Sequence, residues 1–130
     1  MIWMYLAALA SFLAIDAIML KFFMAPLFNR HIGDMMRDTP RLGVAFGFYA
    51  LFVAGLFYLA VLPALAEQNL WSAVKNGAVV GFLSYGAYEA TSMATLRGWA
   101  WHMLVADISW GTVLSATVAA IAYGVGTVTV

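Results

Sequence analysis

Four long apolar stretches make up most of this chain, and this feature limits its possible folds more than any other. They lie at about residues 2–22, 42–65, 74–96 and 102–124, and the second of them carries no charged residue. A helix of about 20 apolar residues is long enough to cross the hydrocarbon layer of a membrane. The pattern therefore predicts an all-α integral membrane protein, in which residues 1–130 form a single domain, a four-helix bundle.

The composition is that of a membrane protein and excludes several other classes. Hydrophobic residues make up 65% of the chain and charged residues only 9%, whereas roughly 25% of the residues of a soluble domain are charged. The formal net charge is zero, so no basic surface is available for binding nucleic acid. The chain has no cysteine, which excludes disulfide bonds and cysteine-ligated metal sites.

The basic residues are distributed unevenly over the predicted loops. Only Lys75 lies in the second loop, and the other five lie in or beside the first and third loops: Lys21, Arg30, Arg37, Arg41 and Arg97. Basic residues accumulate on the cytoplasmic side of membrane proteins, and tryptophans accumulate at the interface. We therefore expect the first and third loops to be cytoplasmic, both termini to lie on the opposite side, and Trp99 and Trp101 to form an aromatic belt.

Three acidic residues lie inside the apolar stretches, on three different helices. Asp16, Glu89 and Asp107 each lie five to eight residues from the predicted cytoplasmic end of their helix, which corresponds to depths of about 7–12 Å. A charged group exposed to lipid near the bilayer centre would cost roughly 2.5–3.5 kcal/mol. We therefore predict that the three side chains point into the bundle, at nearly one level.

Polar and aromatic residues accompany these acids at helical spacing. Tyr85, Glu89 and Ser92 share one face of the third helix, since residues three and four apart are neighbours on a helix. The predicted intramembrane polar cluster consists of Asp16, Tyr85, Tyr88, Glu89, Thr91, Ser92, Asp107 and Trp110. Such a cluster could bind or transport a solute, or its carboxyl groups could only hold the helices together through hydrogen bonds.

Glycines are spaced by four residues on two of the predicted helices. Gly43 and Gly47 lie on the second helix, and Gly77 and Gly81 lie on the third. Small residues at this spacing allow two transmembrane helices to approach closely. We predict that these four glycines, together with Gly111 on the fourth helix, lie at contacts between helices.

The residues around Glu89 and Asp107 resemble a known family. The similar run is Tyr85-Gly86-x-Tyr88-Glu89-x-Thr91-Ser92-x-Ala94-Thr95-Leu96, followed by Trp99 and by Asp107-x-x-Trp110-Gly111. The similarity extends over nearly the whole chain through Asp16, Gly33, Phe48-Tyr49-x-x-Phe52-x-x-Gly55 and Pro63. The chain resembles a bacterial family of small membrane proteins, the domain-of-unknown-function family twenty-one seventy-seven.

Two positions depart from the pattern of that family. Glu89 stands where an aspartate is usual, which keeps the acid, and Met19 stands where a tryptophan is usual, which removes an aromatic wall from the predicted site. The resemblance implies a multi-pass protein of the bacterial cytoplasmic (inner) membrane with a shared polar cluster. It implies no activity.

Three functions are compatible with these features. The favoured one is an accessory subunit beside a larger respiratory or photosynthetic membrane complex, because the chain has little loop material and much lateral surface. The second is a small proton- or cation-coupled transporter that uses the carboxyl cluster as a relay. The third, an intramembrane enzyme acting on a lipid or quinone, is the least favoured. Only carboxyl groups would be available as acid and base, and the sequence has no HExxH motif or cysteine nucleophile.

The expected partners follow from the same reasoning. We expect membrane lipid and other integral membrane subunits as partners, and no cofactor, although the site could take a lipid or a quinone. His31 and His102 are far apart in the sequence and predict no metal site. The three acids could together hold a divalent cation, which prefers oxygen ligands, but their spacing does not require one.

Overall fold

The computed structural model describes residues 2–32 and 42–129, and these residues form four continuous helices. The first helix consists of α1 (Ile2–Met19), a π-helical segment (Leu20–Met24) and α2 (Ala25–Ile32). The second consists of α3 (Leu42–Leu56), a π-helical segment (Phe57–Val61) and α4 (Leu62–Glu67). The third is α5 (Leu70–Thr95), and the fourth is α6 (Trp101–Thr129). Within the described ranges, the protein is all-helical, as the apolar stretches predict.

The first helix continues beyond its apolar stretch. Lys21 lies within the π-helical segment, and its ammonium group is 5.5 Å from the ring centroid of Phe22. The helix continues to Ile32 because Leu27, six residues after Lys21, is buried against Trp99 and Met103 near the start of α6. The charge of Lys21 therefore does not end the helix. Gly33, Arg37 and Arg41 lie outside the described residues.

Pro63 lies inside the second helix and not at its end. Proline has no N–H to donate to the carbonyl group four residues earlier, and the π-helical segment Phe57–Val61 immediately precedes this part of the chain. Such segments occur where the helical hydrogen-bond pattern is interrupted. The helix continues past the proline and ends at Glu67.

The connection between the second and third helices is tightly bonded. Gln68 adopts a left-handed conformation with a φ of 54°, and its N–H donates to the Leu65 carbonyl oxygen. The Asn69 side chain then accepts a hydrogen bond of 3.0 Å from the N–H of Trp71, which satisfies a free donor at the start of α5. Ser72 Oγ donates to Glu67 Oε2 at 2.7 Å. These bonds fix α4 and α5 as antiparallel neighbours.

The set of packed helices has two ends of different character. We call the end near Gln68 and Asn69 the small-residue half, because its buried core is rich in alanine: Ala8, Ala60, Ala64, Ala73, Ala119 and Ala122. We call the opposite end, near the turn at Arg97 and Gly98, the acidic half, because it contains Asp16, Glu89 and Asp107. The three acidic side chains are buried.

Among the described residues, three helical stretches are long and apolar enough to cross a membrane. They are Ile2–Leu27, Phe46–Glu67 and Trp101–Val128. The third helix has a sufficient length of 26 residues but is more polar, since it contains Lys75, Asn76 and Glu89. It packs along α6 over most of its length. The protein is therefore multi-pass, and α5 remains the predicted fourth span.

Candidate functional site

A cavity of about 430 Å³ lies between the helices in the acidic half. All four helices contribute to its walls. Two of the lining residues are acidic, Asp16 and Asp107, and seven are aromatic: Phe12, Phe48, Tyr49, Phe52, Tyr85, Tyr88 and Trp110. Met24, Ala25 and Ser84 complete the lining. Pockets for small organic molecules have volumes of roughly 300–1,000 Å³, so the cavity is large enough for such a ligand.

Asp16 joins the first helix to the fourth at the wall of this cavity. Trp110 Nε1 donates a hydrogen bond of 3.0 Å to Asp16 Oδ1. The side chain of Asp16 is buried, and the two residues are 94 positions apart in the sequence. The bond therefore fixes how the first helix packs against α6, and it orients the carboxyl group at the cavity surface.

Glu89 and Asp107 form a carboxyl pair between the third and fourth helices. Glu89 is fully buried, and its Oε1 accepts a hydrogen bond of 2.8 Å from Trp99 Nε1. Its second oxygen, Oε2, has no hydrogen-bond partner among the described residues, and the Asp107 carboxyl group lies close to Glu89. Asp107 lines the cavity, and Glu89 does not.

The rings of four aromatic residues form a continuous part of the cavity wall. The ring centroid of Phe12 lies 5.3 Å from that of Tyr49 and 5.6 Å from that of Phe52. Phe52 meets Tyr85 edge-on at 6.3 Å. These separations lie within the range of about 4.5–7 Å that aromatic pairs prefer. The wall therefore connects the first, second and third helices through ring contacts.

The structure brings seven of the eight residues of the predicted polar cluster into this region. Asp16, Tyr85, Tyr88, Asp107 and Trp110 line the cavity, and Glu89 is paired with Asp107. Ser92 is buried one turn after Tyr88, on the same face of α5.

Thr91 does not belong to the cluster, contrary to our expectation. Its side chain is exposed on the outside of the bundle. The physical reason is helical geometry, because a residue two positions after Glu89 is turned by about 200° around the helix axis, at 3.6 residues per turn. Its neighbour Tyr88 is only partly enclosed, since 54% of its surface is exposed, and its ring meets Trp99 edge-on at 5.8 Å.

The predicted packing glycines fall into two groups. A Cβ atom on Gly77 would lie 2.8 Å from the Ser115 carbonyl oxygen, and one on Gly81 would collide with the Gly111 carbonyl oxygen. A Cβ atom on Gly111 would collide with the ring of Tyr85. These three glycines therefore allow α5 and α6 to lie in close contact. By contrast, a Cβ atom on Gly43 or Gly47 would meet nothing within 4 Å, so these two glycines pack against no helix of the described chain.

The acids are not arranged as a metal site in the described part of the chain. No group of three or more histidine, cysteine or acidic side chains there could hold a metal ion. The arrangement instead offers two carboxyl groups to the cavity: Asp16, which accepts a hydrogen bond from Trp110, and Asp107, which lies close to Glu89. It can therefore provide negative charge or exchange protons.

Comparison with known families identifies the family to which this chain belongs. The family model described as "Predicted membrane protein (DUF2177)" matches residues 1–124. The chain belongs to this family. It is thus a multi-pass membrane protein of unknown function, as the motifs around Glu89 and Asp107 predict. No curated protein and no solved structure matches the chain.

Trp99 is the functional residue that we placed wrongly from the sequence. We expected it beside Trp101 in an aromatic belt, but only 9% of Trp99 is exposed, against 68% of Trp101. Its indole turns back from the turn at Gly98, whose φ is 83°, and reaches Glu89. A signal was present, because Trp99 is one of the residues shared with the family. The same pattern includes Phe48, Tyr49 and Phe52, which line the cavity.

Proposed function

We propose that this protein is a small transporter that couples the movement of protons to that of a small organic solute. The observation that supports this proposal is the cavity of about 430 Å³, to which Asp16 and Asp107 both present a carboxyl group. Intramembrane carboxyl groups are expensive to maintain and commonly mark the path of a proton or a substrate. Here two of them face a space large enough for a solute.

The carboxyl pair offers a simple means of coupling. Glu89 and Asp107 lie close together, and one proton shared between them would allow the two carboxyl groups to hydrogen-bond to each other. A solute that interacts with Asp107 would weaken this contact and release the proton, and departure of the solute would restore it. Asp16 would act as a second acceptor across the cavity, oriented by Trp110.

The irregular helices provide places where the cavity could open and close. Met24, the last residue of the first π-helical segment, lines the cavity, and π-helical segments are frequent at functional sites. The second π-helical segment, Phe57–Val61, lies further along the second helix, beyond Phe52. Bending at these segments would change the width of the cavity and leave the contacts between α5 and α6 intact.

The location and orientation belong to the same proposal. We place the protein in the bacterial cytoplasmic membrane, with the acidic half towards the cytoplasm. The uneven distribution of the basic residues supports this orientation, because Lys21 and Arg97 flank the acidic half and Lys75 lies at the other end.

The proposal is tested by proton movement across a reconstituted membrane. Purified protein is placed in liposomes that contain a pH-sensitive fluorescent dye, and the liposomes are exposed to amines, carboxylic acids and neutral solutes. We expect at least one solute class to change the internal pH faster than in empty liposomes, and Asp16→Asn and Asp107→Asn to abolish this difference. Glu67→Gln is the matched control, because its carboxyl group binds Ser72 far from the cavity. Changes of internal pH no faster than those of empty liposomes for every class would refute the proposal.

A second candidate function is that of an accessory subunit beside a larger respiratory or photosynthetic membrane complex. It is favoured by Gly43 and Gly47, which pack against nothing in the described chain and lie on the exposed face of α3. Small residues on such a face suit close contact with the helix of another subunit. After gentle detergent extraction, native electrophoresis should then show the protein migrating with a larger complex, and Gly47→Leu should release it. Migration of the wild type as a free monomer or dimer would contradict this function.

A further inference from the structure

The wall of the cavity has a chemical character that restricts which solute it can hold. Seven of its twelve lining residues are aromatic, two are acidic, and none is basic. The two acids lie on different helices, Asp16 on α1 and Asp107 on α6. A ligand in this space would therefore touch ring surfaces and face a carboxyl group on each of two helices.

We infer that the cavity binds a small apolar organic cation, such as a quaternary ammonium or a protonated aromatic amine. This inference rests on the proposed function and names the class of its solute. An aromatic ring attracts a cation placed over its face, and the attraction is stronger where water is excluded. Carboxylates add a direct electrostatic attraction, which is larger in a medium of low dielectric constant than in water.

The geometry of the aromatic residues fits this ligand class. The rings of Tyr49 and Phe52 each contact that of Phe12, at centroid distances of 5.3 and 5.6 Å, so the three rings form one surface before any ligand binds. Tyr85 extends the same surface to the third helix. A preorganised wall of this kind loses little conformational entropy when it holds a ligand.

Other classes of solute fit the same walls less well. An anion would be repelled by Asp16 and Asp107, and the indole N–H of Trp110, a donor that could bind it, already donates to Asp16. A neutral quinone could accept hydrogen bonds from tyrosine hydroxyl groups. It would, however, leave the second oxygen of Asp16 without the compensation that a buried carboxyl group requires.

Tetraphenylphosphonium and tetraphenylborate test this inference, because they have nearly the same shape and opposite charges. Their binding to the purified full-length protein in detergent micelles is measured by equilibrium dialysis, with decylubiquinone as a neutral competitor. We expect the phosphonium to bind at least tenfold more tightly than the borate, and decylubiquinone not to displace it. Background uptake by the micelles is measured with detergent alone.

Four substitutions assign the binding to the cavity. Asp16→Asn and Asp107→Asn should each weaken phosphonium binding by tenfold or more, and Tyr49→Leu should weaken it severalfold. Glu67→Gln, which removes a carboxyl group outside the cavity, should leave it unchanged. Asp107→Asn retains an N–H donor for Glu89, so the fold should survive, and thermal unfolding of each variant checks this. Tyr49→Leu serves as the second variant if an asparagine variant does not fold.

The outcomes separate this inference from the proposed function. Equal binding of the two ions, unchanged phosphonium binding in folded Asp16→Asn and Asp107→Asn variants, or displacement by decylubiquinone would overturn the organic-cation assignment. Proton movement driven by another solute class would then leave the transporter intact. Conversely, specific phosphonium binding without solute-driven proton movement for any class would support the cation site and refute proton-coupled transport.

Discussion

The helices pack closely in one half of the molecule and leave a cavity in the other. In the small-residue half, α5 and α6 approach so closely that no Cβ atom fits at Gly77, and alanines fill the remaining core. In the acidic half, large aromatic side chains hold the helices apart, and a cavity of about 430 Å³ remains between them. One end therefore has close backbone contact and little free space, and the other has free space lined by carboxyl groups.

The difference shows how a short membrane protein can maintain a polar site. Helices gain no hydrophobic free energy from associating within lipid, so close van der Waals packing of small residues is an important source of stability. The contact between α5 and α6 supplies that packing. The acidic half can then contain buried carboxyl groups, two of which, Glu89 and Asp16, accept a hydrogen bond from a tryptophan.

The largest effect should come from disturbing the small-residue half. In Gly81→Ala, the new methyl group would overlap the Gly111 carbonyl oxygen and lie 2.6 Å from Ser115 Oγ. The two helices would have to separate, at a cost of about 3 kcal/mol in the free energy of unfolding. Gly86→Ala on the same helix is the control, because its methyl group would meet nothing within 4 Å. Unfolding in mixed micelles of increasing denaturing detergent measures both, and equal stabilities would contradict the contrast between the halves.

In the acidic half, the largest effect should come from Trp99. Trp99→Phe keeps most of the ring but removes the N–H that donates to the fully buried Glu89. An unsatisfied buried acceptor should lower the free energy of unfolding by about 2 kcal/mol. Trp101→Phe is a matched control two residues away, since 68% of Trp101 is exposed. Equal free energies of unfolding for the two variants would show that the hydrogen bond from Trp99 to Glu89 does not stabilise the protein.

A smaller effect is expected at the wall of the cavity. The hydrogen bond between Trp110 and Asp16 should give a coupling energy of about 1 kcal/mol in a double-mutant cycle with Trp110→Phe and Asp16→Asn. A second cycle, which combines Asp16→Asn with Trp71→Phe at the opposite end of the bundle, should give additive changes in stability. Additive behaviour in both cycles would show that the bond at 3.0 Å contributes nothing.

The smallest expected change is a stabilisation at the turn that ends the small-residue half. Gln68 adopts a φ of 54° at the end of α4, a conformation that glycine adopts without the steric cost of a Cβ atom. Gln68→Gly should therefore raise the free energy of unfolding by about 0.5 kcal/mol, and Gln68→Ala should not. A loss of stability in the glycine variant would mean that the Gln68 side chain itself matters at this turn.

The sequence predicts the helices well because their apolar stretches are long and depend little on tertiary context. Their ends are harder to predict. Pro63 lies inside the second helix, just after a π-helical segment. Lys21 lies inside the first helix, within its π-helical segment. Local sequence does not reveal the packing of Leu27 against Trp99 that continues the first helix.

The site could be predicted only in part, because it also depends on how the helices pack together. Helical spacing identifies which residues share a face, and the cost of a charge in lipid indicates that Asp16, Glu89 and Asp107 face inward. Spacing cannot show which glycine pair has a neighbour, so Gly43 and Gly47 look the same as Gly77 and Gly81 in the sequence. The cavity itself results from four helices packing together, and no single motif specifies it.

The direct test of this account is whether the acid-bearing face of α6 is turned away from lipid. The chain has no cysteine, so a single cysteine can be introduced at Asp107 or at Val105, which is 58% exposed, and spin-labelled in liposomes. Electron paramagnetic resonance then measures collisions of each label with oxygen, which concentrates in the lipid. We predict frequent collisions at position 105 and few at position 107. Equally frequent collisions at both positions would show that the carboxyl face meets lipid and would contradict the account.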